Sequence, residues 1–199
     1  MSFNLTKGVS IAAWVNLAEP AVDQKIAGNQ DNSNGGYKLG IYNDKAEFEI
    51  RDSSNAPTTN RFIEGGTVLE PGTWYHIVGT YSQGGSVKTY VNSKLDRELQ
   101  TANILTPAFG TFKIGREPFL DLFWFNGSMD DLQIYSYPLS ETEVAALYEG
   151  KELPSTAPGV LAASGEKTGA SSYIILVLII VIIAAAAAGL AIRKKKTTA

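Results

Sequence analysis

The chain has no cysteine, and among its 199 residues there is a single histidine, His76. Without thiols there are no disulfides, no cysteine-ligated metals and no thiol chemistry. A lone histidine inside an alternating apolar-polar segment builds neither a Ser-His-Asp set nor a metal cluster, so His76 reads as a structural hydrogen-bonding residue. Positive charge is scarce as well. Residues 1–150 carry 11 Lys and Arg against 18 Asp and Glu, a net of −7, whereas the remainder carries +4. Phosphate affinity comes from clustered Lys and Arg, so an acidic domain of this kind excludes nucleic acid as a partner. The first seven residues, Met1-Ser-Phe-Asn-Leu-Thr-Lys7, lack the apolar stretch of a signal peptide.

One long apolar run is present, and it comes late. Residues 173–192 contain no charge, no proline and one glycine. At ~1.5 Å per residue they match a hydrocarbon core of roughly 30 Å, and a helix satisfies its own backbone there. Arg193 to Lys196 follow at once, which points the C-terminus (residues 193–199) to the cytoplasm and the preceding domain outward. The expectation is a single-pass protein of the cell membrane with the lipid bilayer as a partner. An outward domain without a signal peptide implies a fragment or a mis-started reading frame; the competing arrangement is a cytosolic domain on a tail anchor. Residues 151–172, rich in Ser, Thr, Ala, Gly and Pro, read as a flexible stalk.

Before the stalk the pattern is β. Apolar-polar alternation appears over residues 9–15, 37–42, 46–51, 74–81, 87–91, 112–114 and 132–135, with Gly, Asn, Asp and Pro turns between. Short strands at this spacing predict an all-β fold, a sandwich or barrel. One helix closes the domain: Ser140 caps it, Glu143 completes a capping box, Val144, Leu147 and Tyr148 form its apolar stripe, and Gly150 ends it.

Six segments taken in order resemble the laminin-G-like jelly roll of the concanavalin-A-like lectin class. They are residues 9–15, the segment Gly72-Thr-Trp-Tyr-His-Ile-Val-Gly-Thr-Tyr81, residues 87–95, Lys113-Ile-Gly-Arg116, residues 125–135 and residues 138–144. The resemblance covers about 140 residues and implies a two-sheet antiparallel jelly-roll sandwich over residues 1–150, with loops along a rim. It also implies a first strand upstream of Phe3 that this chain does not contain. A sandwich without it has an unpaired edge, so residues 1–150 are expected to be marginally stable.

The resemblance also directs attention to a metal. Gln30-Asp31-Asn32 is similar to the Asp-Asn pair of the pentraxins, Glu117 falls where that group places a calcium-ligating Glu, and Asp121 follows nearby. Asp31, Asn32, Glu117 and Asp121 are therefore the candidate calcium ligands, set against turn-forming polar residues. Asp130-Asp131 is the family's common acidic pair, which could ligate calcium but more often fixes a strand end.

Hydrolase chemistry would need paired carboxylates. Glu47 and Glu49 share one strand face, but Arg51 replaces the third acid, and the segment reads as a solvated face; the protein is not expected to be an enzyme. Sugar recognition favours exposed aromatics near amides and carboxylates. Trp14 faces away from the layer of Ile11 and Val15, and Phe123, Trp124 and Phe125 cluster before the strand at Met129. These four are the candidate ligand-binding residues. The competing readings are packing under a loop for Trp14 and a minor core for the cluster. Asn4 and Asn126 head glycosylation sequons. The functional expectation is a membrane-anchored extracytoplasmic binding or adhesion module for carbohydrate or a glycosylated partner. The alternatives are a structural spacer and the remnant of a glycan-processing enzyme.

Overall fold

A computed structural model describes residues 7–30, 35–51, 61–101, 104–108 and 110–153. The expected stalk, membrane span and basic tail lie outside these residues, as do Asn4, Asp31 and Asn32. Among the described residues no helix is long and apolar enough to cross a membrane.

Ten strands and one helix follow in order: β1 Gly8–Leu17, β2 Asp23–Gly28, β3 Tyr37–Tyr42, β4 Lys45–Ile50, β5 Arg61–Val68, β6 Trp74–Ser82, β7 Ser86–Val91, β8 Lys94–Gln100, β9 Lys113–Ile114, β10 Gly127–Tyr135 and α1 Glu141–Tyr148. They form two five-stranded antiparallel sheets, β10-β1-β6-β7-β8 and β5-β4-β3-β2-β9. This is the two-sheet sandwich that the sequence resemblance implies.

Strand alternation builds the core. Val9, Ile11, Ala13, Val15 and Leu17 of β1 all point inward, and they meet Leu39, Ile41, Phe48 and Ile50 of the opposite sheet. Gly79 on β6 makes room for Phe48: a methyl group there would lie 2.1 Å from its ring. On the outer face of the first sheet, Ala12, Val78, Tyr90 and Tyr135 pack under Leu139, Val144 and Leu147. Ser140 and Glu143 form the expected reciprocal cap: the Ser140 N–H donates to Glu143 Oε2 at 2.8 Å, and the Glu143 N–H donates to Ser140 Oγ at 3.3 Å. The chain entering the helix is pinned by buried Ser10, whose hydroxyl donates to Tyr137 O and accepts from the Leu139 N–H.

Three strands were not visible as alternation. β2 carries one large apolar residue, Ile26; β5 is interrupted by Gly65-Gly66; β8 is an edge strand exposed along nearly its whole length. β5 and β8 belong to different sheets and are tied by one carboxylate. Asp96 accepts from the N–H groups of Gly66 (2.8 Å) and Thr67 (2.9 Å) and from the Thr67 hydroxyl (2.6 Å).

Gly79→Ala should overpack the core by about 1–3 kcal/mol. The expected readout is a lower urea midpoint with an unchanged slope, partly recovered in Gly79→Ala/Phe48→Leu, since the two residues share one space. A midpoint equal to that of the parent chain would refute the contact.

Candidate functional site

The outer face of the second sheet carries charge rather than apolar residues. Lys25 on β2, Lys38 on β3, and Glu47 and Glu49 on β4 all project to this side, opposite Leu39, Phe48 and Ile50. The sequence reading of Glu47 and Glu49 as a solvated face is corrected here: they are 1% and 6% exposed. Residues 115–126 cover them as a strap.

The strap is tied along its length. The Gly115 N–H donates to Ile26 O at 2.7 Å, the Lys25 N–H to Phe123 O at 2.9 Å, and the Phe125 N–H to Gly115 O at 2.9 Å. The Asn126 N–H donates to Gln24 Oε1 at 2.8 Å. Gly115 supplies a positive φ of 77° at the first bend; Phe123 adopts φ 54°, a region costly for a bulky residue.

Charge pairs fix the strap from beneath. Lys38 Nζ lies 3.1 Å from Glu49 and 3.0 Å from Glu117, the strap's own carboxylate. Arg51 Nε reaches Glu49 at 3.4 Å, and its guanidinium sits 5.2 Å over the Phe119 ring. Lys25 pairs with Asp23 and Glu47 and lies 5.7 Å from the Phe123 ring. Gly40 stands between Lys25 and Glu47 in register; a methyl group there would lie 2.9 Å from Glu47 Oε1 and 3.0 Å from Lys25 Cδ. The gap at Gly40 is what lets the ammonium cross to the carboxylate.

Burial pushes the Glu47 carboxyl up to about 7, against the opposing pull of Lys25 and Lys38. Burial also works against the Lys25 ammonium, but Glu47 and Asp23 more than offset it and hold the group above its ordinary value. The two directions fit one arrangement, in which Lys25 has two carboxylates for one charge and Glu47 is enclosed.

Above this layer the strap presents apolar surface. Leu120, Leu122, Phe123 and Trp124 are 42%, 52%, 39% and 56% exposed. The Arg116 guanidinium lies 5.0 Å from the Trp124 ring and pairs with exposed Asp121. Phe125 turns inward against the core. Asn126 is exposed at the strap's end, its amide donating to Glu19 at 2.7 Å.

The four expected ligand-binding residues therefore divide. Phe123 and Trp124 are presented together, whereas Phe125 packs inward. Trp14 is 6% exposed, stacked on Tyr148 at 5.5 Å and beside His76 at 5.4 Å. Its outward parity is as read from the sequence, but α1 covers that face. Leu120, Leu122 and Arg116 were missed; the signal available was a run of large apolars, residues 122–125, directly after the charge of Asp121.

Two of the four calcium candidates, Glu117 and Asp121, lie among the described residues, and each has a cationic partner. Glu117 Oε2 faces the Lys38 ammonium and Asp121 faces Arg116, so a divalent cation would sit beside fixed positive charge. Among the described residues no group of three or more His, Asp or Glu could hold a metal. Asp131 lies at a bulge in β10 with φ 48°, and its N–H donates to Asp130 Oδ1.

Residues 1–145 match the family model described as the concanavalin A-like lectin/glucanases superfamily. No curated protein matches the chain. Three solved structures are similar in fold. A candidate carbohydrate-binding protein from Bacteroides ovatus is 20% identical, with a TM-score of 0.57, covering 70% of this chain and 40% of that one. The CBM40 module of a Ruminococcus gnavus sialidase, bound to sialyllactose, is 15% identical, with a TM-score of 0.61, covering 72% and 84%. A pentraxin from Limulus polyphemus is 16% identical, with a TM-score of 0.55, covering 74% and 72%. The chain thus spans less than half the length of the Bacteroides ovatus protein.

The Glu47 environment has a pH consequence. In the unfolded chain the carboxyl releases its proton near its ordinary 4.5, and in the folded chain near 7. Between these values the folded state binds more protons, so stability falls as pH rises through the window. Glu47→Gln should flatten that fall in urea titrations across the window; equal slopes in both proteins would contradict the assignment.

Proposed function

We propose, from the premise that this chain belongs to the concanavalin A-like lectin/glucanases superfamily, that it is a glycan-binding module displayed at a cell surface. The observation that carries the reading is the strap. Four large apolar side chains stand exposed on a backbone tied down by hydrogen bonds and buried ion pairs. Of these, Phe123 and Trp124 suit sugar rings, whose CH groups stack on π faces, and Arg116 and Asp121 at the border supply polar partners. The sialyllactose-bound sialidase module supports a saccharide ligand by likeness of fold. The burial of Glu47 and Glu49 and their pairing with Lys25 and Lys38 support binding over hydrolysis by these carboxylates. The partner is a free glycan or a surface glycoprotein.

The apolar run at 173–192 and the basic residues behind it support a single-pass anchor with the sandwich outside and the C-terminus in the cytoplasm. Protease added to intact cells should then cut within residues 153–172. Cleavage only after lysis would reverse the orientation.

The full chain on a glycan array should bind a defined set of saccharides, and Trp124→Ala should weaken that binding by ~2 kcal/mol, roughly 30-fold. An array without signal would leave the domain a spacer, and an unaffected Trp124→Ala would move the site elsewhere. Since Lys38 and Arg116 already hold the carboxylates, binding and melting temperature should be the same in calcium and in chelator. A calcium-dependent rise in melting temperature would show that Asp31, Asn32 and Glu117 take the ion in place of Lys38.

A further inference from the structure

The strap covers one face of the sandwich; the first sheet has an outer face of its own, and α1 covers only part of it. Beside the helix a cleft of about 320 Å³ remains open. Its floor is dictated by strand parity: Thr80 and Ser82 of β6 and Ser86, Lys88 and Tyr90 of β7 all project to the outer side, with Thr80 opposite Lys88 in register. Its wall is the segment from Pro138 to Glu141. That wall is rigid, because Ser10 holds Leu139 and the Ser140–Glu143 cap fixes the turn into the helix.

The chemistry of the cleft is hydroxyl-rich and slightly acidic. Thr80 and Ser82 bring hydroxyls to it and Tyr90 a phenol, while the Ser86 hydroxyl is bonded to Glu98 and that of Ser140 to Glu143. Burial, then Glu141 and Glu98, push that phenol up to about 12, so it stays a donor at neutral pH. The Lys88 ammonium lies 3.4 Å from Glu98, which also accepts from Gln100 at 2.9 Å. Ser86 is the chief cause holding the Glu98 carboxyl below its ordinary value, so Glu98 stays ionised. Lys88 is outnumbered by Glu98 and Glu141, which disfavours phosphate, sulfate or carboxylate ligands. The hydroxyl floor disfavours an apolar ligand. Pro138, exposed at the rim, offers a small apolar wall for the face of a ring. The volume is at the lower end of the ~300–1,000 Å³ usual for small-molecule sites, enough for a sugar residue and too small for a folded peptide.

We infer that this cleft is a second, independent saccharide site, taking one neutral sugar residue against β6, β7 and the start of α1. It lies on the other sheet from the strap, so the module engages glycans on two faces. Two weak sites on one rigid body bind a multivalent glycan surface more tightly than either alone when the geometry allows both to engage.

The test uses the full chain carrying Trp124→Ala, which removes the strap's contribution. Saturation-transfer NMR is run with millimolar glucose, galactose, mannose and N-acetylglucosamine. At least one should give a saturable signal, and adding Tyr90→Phe or Lys88→Ala should weaken it at least about 5-fold while the melting temperature stays near that of Trp124→Ala. Lys88 is a half-buried surface residue, so its variant keeps the test decisive if Tyr90→Phe fails to fold. No signal from any of the four sugars would overturn the inference, as would a signal indifferent to both substitutions. Because Trp124 is absent throughout, failure here leaves the strap's own result on the array unaffected.

Discussion

Lys38 reaches Glu117 and Glu49 across the outer face of the second sheet, and the form of the ligand surface follows from that one buried cluster. An ammonium beneath a loop would be costly without partners. With two carboxylates it turns that cost into a positional constraint, because breaking such a pair from one side costs about 3–5 kcal/mol. Glu117 therefore holds the strap down at one point and the Phe123 carbonyl at another. Between these points and the Phe125 N–H bonded to Gly115 O the chain has little freedom, and Leu120, Leu122 and Trp124 are left facing solvent. Replacing the pairs by apolar residues could stabilise the fold equally well; what the charges contribute is one defined path for the strap.

The same logic orders the two faces of the sandwich. On the first sheet, α1 and its apolar stripe cover part of the outer face, and Tyr148 of the helix packs on Trp14 and His76 in a three-ring cluster. On the second, a strap without regular structure does the covering, and ion pairs stand in for an apolar stripe. Coverage by a helix consumes the aromatic at position 14; coverage by a strap presents the aromatic at position 124. That difference explains why two tryptophans with similar sequence credentials end in opposite environments.

Most of the sandwich was legible because inward positions repeat with period two, as in β1, β6 and β7. β2, β5 and β8 escaped because their residues answer to other demands: Lys25 to a buried carboxylate, Gly65 and Gly66 to the clasp at Asp96, and β8 to solvent on an edge. The helix was readable to its cap because Ser140 and Glu143 act locally. The charged layer was not readable. Glu47 and Glu49 alternate as a solvated strand would, and only the strap, some seventy residues later, makes them interior. Nothing local to 46–51 announces it, although Gly40 in an otherwise regular strand marks a place where another side chain must pass.

Hydrogen exchange on Glu117→Gln tests most directly whether the buried charge layer fixes the strap. Glutamine keeps the shape and removes the charge that faces Lys38, while Glu49 remains to hold the lysine. Amides of residues 116–126 should exchange faster by an order of magnitude or so, as local opening becomes easier, while those of β6 and β7 stay as protected as before. Unchanged protection across the strap would contradict the account, because the path of the strap would then owe nothing to the charges beneath it.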